Sequence, residues 1–192
     1  RAMPKFKRSS FVKKAQKWLS RRSGIAKPVA KAVYFADSFV NYNDHELGFD
    51  AVKILRHLGV EVVVPKQRPA PVPAIVYGDF KTAQKDFRYI VKNMADYVRA
   101  GFCVICSEPS AVVGLKQDLR LYVPGTDAAA IADNVFELMS YVGELMIKKP
   151  PKIKDALAGE IFAYHAPCHL LALTDARPSV EILRRFTSAK VI

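Results

Sequence analysis

The chain has 192 residues, a net charge of +12 and three cysteines. That length suffices for one well-filled core and part of a second. No apolar run reaches the ~18 residues of a membrane span, and the first residues lack the apolar stretch of a secretory signal. An odd cysteine count, at 103, 106 and 168, does not make an extracellular disulfide framework, so a cytoplasmic setting is expected, with peripheral attachment at the inner membrane face as its variant.

The charge sits at one end. Eleven Lys and Arg residues precede the first acid, Asp37, which leaves a net +1 for the remaining 161 residues. Within this basic arm, residues 10–20 suit an amphipathic helix, with Phe11, Ala15, Trp18 and Leu19 on one face and Lys13, Lys14, Lys17 and Arg21 around it. Ser9 or Ser10 caps it, and Gly24 with Pro28 stops it. Two occupants stay open for residues 1–24: another domain or subunit on which the helix docks, or an anionic membrane surface. Either way, removing residues 1–24 is expected to leave the body folded. Nucleic acid is not expected, because a basic tail supplies only sequence-independent attraction and no zinc-finger or RNA-recognition signature accompanies it.

Residues 32–35 read as a first strand. A helix then starts near Asp44, buries Leu47, Val52, Ile54, Leu55 and Leu58, and ends at Gly59. Residues 60–64 form the second strand. The loop over 65–73 holds four of the twelve prolines and is expected to carry no regular structure. Asp79 opens a long helix with Phe80, Ala83, Phe87, Ile90, Val91, Met94 and Val98 at helical spacing, closed by Gly101 ahead of a third strand over 102–105. Residues 127–147 read as one helix, leading to the linker Lys148-Lys149-Pro150-Pro151-Lys152. His45 and His57 are expected to face solvent.

A diverged repeat organises these elements. Residues 51–58 align without gaps on residues 179–186, an offset of 128 between Val52 and Val180, and both copies have an apolar strand before and after the helix. The predicted fold is α/β: two Rossmann-like parallel β-α-β repeats, the second incomplete, plus an N-terminal amphipathic helix. The expected divisions are a basic arm (1–30), the first repeat (31–126), a bridging helix and linker (127–159) and the start of the second repeat (160–192).

The second copy opens on Tyr164-His165-Ala166-Pro167-Cys168-His169, a thiol flanked by imidazoles at the end of a strand. One cysteine cannot hold a cluster alone. Together with residues 33–43, 60–65 and 73–79 of the first copy, this His-x-Pro-Cys-His resembles the CCG, or cysteine-rich, domain. That domain occurs in one subunit each of heterodisulfide reductase and anaerobic glycerol-3-phosphate dehydrogenase, and in the iron–sulfur parts of FAD-linked glycolate and D-lactate oxidoreductases.

The resemblance implies cluster ligands at set places. In the first copy they fall on Ser38, on Pro69-Ala70-Pro71, and on Cys106 and Pro109, so that Cys106 alone retains a thiol and the site reads as degenerate. In the second copy Cys168 holds the first-ligand position, with His165 and His169 beside it, and the next pair would come after Ile192. The implied cofactors are a [4Fe-4S] cluster in the second repeat if the chain continues, none in the first, and FAD on a partner. The implied function is electron transfer in a flavin-linked oxidoreductase of a small 2-hydroxy acid or similar substrate, with a flavoprotein domain or subunit as partner. The rival is a cluster-free structural or docking subunit of a larger complex, membrane-associated in one version.

Other chemistries find less support. There is no Gly-x-Gly-x-x-Gly and no Walker lysine loop. Cys103 and Cys106 form a Cys-x-x-Cys, but in a strand the two thiols are simplest as small buried residues. No second ligand pair at zinc-finger spacing accompanies Cys168.

Overall fold

A computed structural model describes residues 5–174 and 177–192; the first four residues of the expected arm lie outside the described residues. Helix α1 (Phe11–Leu19) is capped by Ser10, whose side chain accepts the Lys13 amide. Strand β1 (Ala30–Phe35) leads through the short α2 (Ser38–Tyr42) into α3 (His45–His57), where Asp44 caps the amides of Glu46 and Leu47. Gly59, at φ +87°, lets the chain reverse directly into β2 (Val60–Val63), in the left-handed region that favours glycine. Next come α4 (Val72–Val76), α5 (Phe80–Arg99), capped by Asp79, and β3 (Cys103–Cys106). Helix α6 (Pro109–Val113) continues through a π-helical turn (Gly114–Asp118) into α7 (Leu119–Tyr122), and α8 (Thr126–Asp133), β4 (Val135–Glu137) and α9 (Leu138–Lys148) come after it. The second copy contributes β5 (Ile161–Phe162), α10 (Cys168–Leu173), α11 (Pro178–Phe186) and β6 (Lys190–Val191).

The main sheet is wholly parallel in the order β2-β1-β3-β4, and a second parallel pair joins β5 to β6. Helices flank the main sheet on both faces, which is the expected α/β arrangement. Alternation in β1 decides the layers. Ala32 and Tyr34 face a core shared with Phe11, Val52, Leu55 and Val142, while Val33 and Phe35 face Phe87, Ile90, Met94, Leu115 and Ile131. The repeat is also visible in pairing: Ala32 stands beside Val62 in the first copy and Ile161 beside Lys190 in the second, the offset of 128 held to within one residue.

The sequence expectations are corrected at five points. The single helix expected over 127–147 is two, split by β4; Asn134 closes α8, and the Glu137 carboxylate caps α9 by accepting the amides of Met139 and Ser140. Leu47 and Ile54 are exposed, and α3 instead buries Gly48, Ala51, Val52 and Leu55. The proline loop becomes helical at Val72, with Pro73 in the first turn, where its missing N–H costs nothing. His45 is buried: Nε2 meets the Asn41 carbonyl at 3.1 Å and Nδ1 meets Lys14 Nζ at 3.3 Å.

The fifth correction concerns the arm. Phe11, Val12 and Ala15 lie in the core of the body, Phe11 fully buried between the rings of Tyr34 and Phe49. Asn41 Oδ1 accepts the Val12 amide and Gln16 donates to the Val64 carbonyl, so α1 is bonded to α2 and to the residue after β2 as well as packed on the core. The close approach is set by Gly48, where a Cβ would come within 2.7 Å of Phe11 and of Val40. The apolar face of the arm is therefore filled by its own chain, and removing it would open the core.

Candidate site at the switch point of the sheet

Strand order reverses between β1 and β3, and in open α/β sheets the crevice at the carboxyl ends of two such strands is where ligands bind. Phe35 pairs with Cys106, so the residues two further along each strand, Asp37 and Glu108, stand side by side in that crevice. The positions at which the resemblance places first-copy ligands gather here too. Ser38 begins α2, Pro109 begins α6, Cys106 ends β3, and the loop carrying Pro69 and Ala70 arrives from β2.

The loop is pinned by side chains acting as extra ladder rungs. Gln67 Oε1 accepts the Ala36 amide at 2.9 Å, while its Nε2 donates to the carbonyls of Tyr34 and Pro65. Asp37 Oδ1 accepts the Ala70 amide at 2.7 Å. Across the crevice the Glu108 carboxylate accepts the amides of Val40 (3.2 Å) and Phe39 (3.4 Å), next to Asp37. Tyr34 and Ser107 close the lower side, hydroxyl to hydroxyl at 2.9 Å. Among the described residues no buried side-chain polar atom lacks a partner.

The electrostatics follow from burial. Asp37 is only 8% exposed, and desolvation with Glu108 alongside pushes its carboxyl up to about 7. Burial also raises the Cys106 thiol well above its ordinary range, with Asp37, Glu108 and Glu137 adding to the effect. Cys106 is thus a neutral thiol. Its sulfur accepts the Glu108 amide at 3.3 Å and faces the Glu108 carbonyl at 3.6 Å.

A thiolate-held cluster does not fit this crevice. Among the described residues it offers one thiol, that of the fully buried Cys106, and one cysteine cannot hold a cluster alone. Nor is there room: Ala70 is buried against the π-helical turn, where a Cβ on Gly114 would lie 2.8 Å from Val72 and 4.0 Å from Ala70. Among the described residues no three His, Cys, Asp or Glu side chains are grouped to hold a metal ion.

The second copy presents a different edge. Cys168 is the first residue of α10, as Ser38 is the first residue of α2, each placed after the opening strand of its copy. Cys168 is exposed, with His169 Nδ1 3.6 Å from its sulfur; His165 is exposed and is not brought into contact with it. Helix α10 packs against α6, so Cys168 stands on a helix beside the turn that carries Cys106 and Pro109. The described residues offer one available thiol at this edge, and a cluster needs further ligands.

Sequence reasoning missed Asp37, Glu108, Gln67 and Glu137. The signal was present in register: an acid two residues beyond each of two neighbouring strands becomes a pair once those strands are known to be adjacent. Cys103 and Cys106 lie on opposite faces of β3, one against each core, and are not brought together.

Comparison with known proteins adds a direction. The chain is 24% identical over 192 residues to a subunit of the anaerobic glycerol-3-phosphate dehydrogenase of Escherichia coli (strain K12), covering 96% of this chain and 46% of that protein. It is 26% identical over 145 residues to an uncharacterized iron-sulfur protein of Methanocaldococcus jannaschii, covering 73% of this chain and 26% of that protein. The chain is distantly related to a dehydrogenase subunit and to an iron–sulfur protein. It spans less than half the length of either. No family model and no solved structure matches it.

Proposed function

We propose that this chain is part of an iron–sulfur electron-transfer module of an oxidoreductase complex, its first cluster site lost and its second centred on Cys168. The observation that carries the reading is the matching placement of Ser38 and Cys168 at the first helical position after the opening strands of two copies, in a chain related to an iron–sulfur protein. A [4Fe-4S] cluster at Cys168 would take its remaining ligands from chain beyond these 192 residues, with His165 and His169 tuning the sulfur. Such a cluster supplies one-electron transfer. FAD would sit on a flavoprotein partner, which would oxidise a small 2-hydroxy acid, glycerol phosphate or similar substrate.

The division into a first CCG-like repeat over 31–126, a bridge over 127–159 and a second repeat from 160 belongs to this reading. So does a cytoplasmic setting. Among the described residues no helix is long and apolar enough to cross a membrane. With the apolar face of α1 buried, contact with an anionic inner-membrane face would rest on the arm's cations alone.

The test is anaerobic purification of the full-length protein with Cys168→Ser alongside it. The proposal expects brown protein with iron and sulfide, and loss of both, with the fold retained, in the variant. A colourless wild type, or a variant with full iron, would leave the cluster-free docking subunit as the better account. The sealed crevice at the switch point is what favours that second reading.

A further inference from the structure

The feature that the electron-transfer reading does not use is the polar cluster at the β1/β3 switch point. Open α/β sheets bind their ligands in a crevice at this edge. Here the crevice is closed, and the closure is polar. Asp37 holds Ala70 of the loop after β2, and Glu108, at the neighbouring strand end, holds Phe39 and Val40 of α2. Three segments far apart in sequence meet on these two neighbouring carboxyl groups, with Gln67 and Arg68 fastening the same loop to β1 and to Asp86 of α5.

We propose that Asp37 and Glu108 form a carboxyl clasp that takes over the cross-linking role of a lost cluster, sealing the switch point of the first half so that it is held shut without metal. This rests on reading the first half as a vacated cluster site. Each acid anchors backbone amides of a different segment, Asp37 that of Ala70 and Glu108 those of Phe39 and Val40, and their adjacency at the ends of β1 and β3 joins the two anchors. The small residues around it agree. Ala70 and Gly114 let the loop lie flat on the π-helical turn, where cysteine side chains and a cluster would force it outward. Cys106 beneath the clasp is fully buried and sealed from solvent. Electrons in the assembled protein then bypass this half.

Amide hydrogen exchange and thiol labelling of the chain, compared for wild type, Asp37→Ala and Glu108→Ala, test the clasp. Wild type should protect the Ala70, Phe39 and Val40 amides and leave Cys106 unlabelled by iodoacetamide while Cys168 reacts. Removing the acceptor of this buried amide should speed exchange at Ala70 by about 10- to 100-fold in Asp37→Ala and expose Cys106. Glu108→Ala should release Phe39 and Val40 and, through Asp37, Ala70, which Glu108 does not touch. Unchanged Ala70 exchange and unlabelled Cys106 in both variants would overturn the proposal. If Asp37→Ala does not fold, Asp37→Asn decides, because the amide keeps an acceptor for Ala70: a folded Asn variant with Ala70 protected supports the clasp, and one with Ala70 freely exchanging contradicts it. Iron bound at Cys106, seen as iron lost on Cys106→Ser, would also overturn it. None of these readouts depends on whether Cys168 binds a cluster.

Discussion

Phe11→Ala tests whether the basic arm belongs to the core. Phe11 is fully buried, packs edge-on against Tyr34 at 5.8 Å and Phe49 at 5.1 Å, and rests on Gly48 with no room for a Cβ between them. Truncating a fully buried phenylalanine costs about 3–5 kcal/mol, and the two ring pairs place this one toward the upper end. Against a typical domain stability of ~5–15 kcal/mol, that is a large fraction of the total. Urea unfolding measures it, and the sequence supplies a local reporter: Trp18 is the only tryptophan and lies on α1, 5.8 Å from the Phe49 ring. If α1 is core, Trp18 fluorescence and the main transition in far-UV circular dichroism coincide, and Phe11→Ala moves both midpoints down together. A loss under ~1 kcal/mol, or fluorescence melting well before the backbone signal, would refute the reasoning and restore a detachable docking arm.

Burial of titratable groups leads to two more expected outcomes. Because Asp37 is pushed up to about 7 in the folded state from an ordinary value of 3.8, the native protein keeps a proton that the unfolded chain has released, so stability should fall as pH rises from about 4 to 7 and level off above. Glu108, Cys106 and Glu137 lie close by, so the comparison that isolates Asp37 is Asp37→Asn, which should flatten that part of the profile; an identical slope in the variant would count against a raised Asp37 carboxyl. Cys103 and Cys106 are three residues apart in a strand, about 10 Å between Cα atoms, beyond disulfide reach, so mild oxidation should leave both thiols free in an intact-mass measurement.

Much of the scaffold was legible because its signals are local. Asp44, Asp79 and Ser10 cap the helices expected of them, and glycine closes α3 where the pattern stops. Strand β4 was not legible. It has three residues, and Ile131, Val135, Leu138 and Val142 keep a helical spacing straight across it, so periodicity alone reads one helix; the break is made by Asn134 and by Glu137, which caps α9. The buried state of His45 and Phe11 was hidden for a related reason. Each is buried by the other's element, and a one-dimensional pattern does not show that α1 folds back onto α3.

The site was half legible, for a different reason. Cysteine positions carry a resemblance because a cluster demands thiols at set places. The acids at the edge answer to no such pattern: the amides of Phe39, Val40 and Ala70 are satisfied by glutamate and aspartate that no motif singles out. Scaffold and site therefore part company in this chain. Alternating apolar residues keep the parallel sheet, while the chemistry at its carboxyl edge comes from two acids that become neighbours only when β1 and β3 pair. A thiol at that edge beside a neutral acid and two further carboxyl groups stays protonated. Cys168, at the start of α10, is exposed instead, with the His169 Nδ1 3.6 Å from its sulfur. The asymmetry between the two copies is one of burial and charge before it is one of sequence.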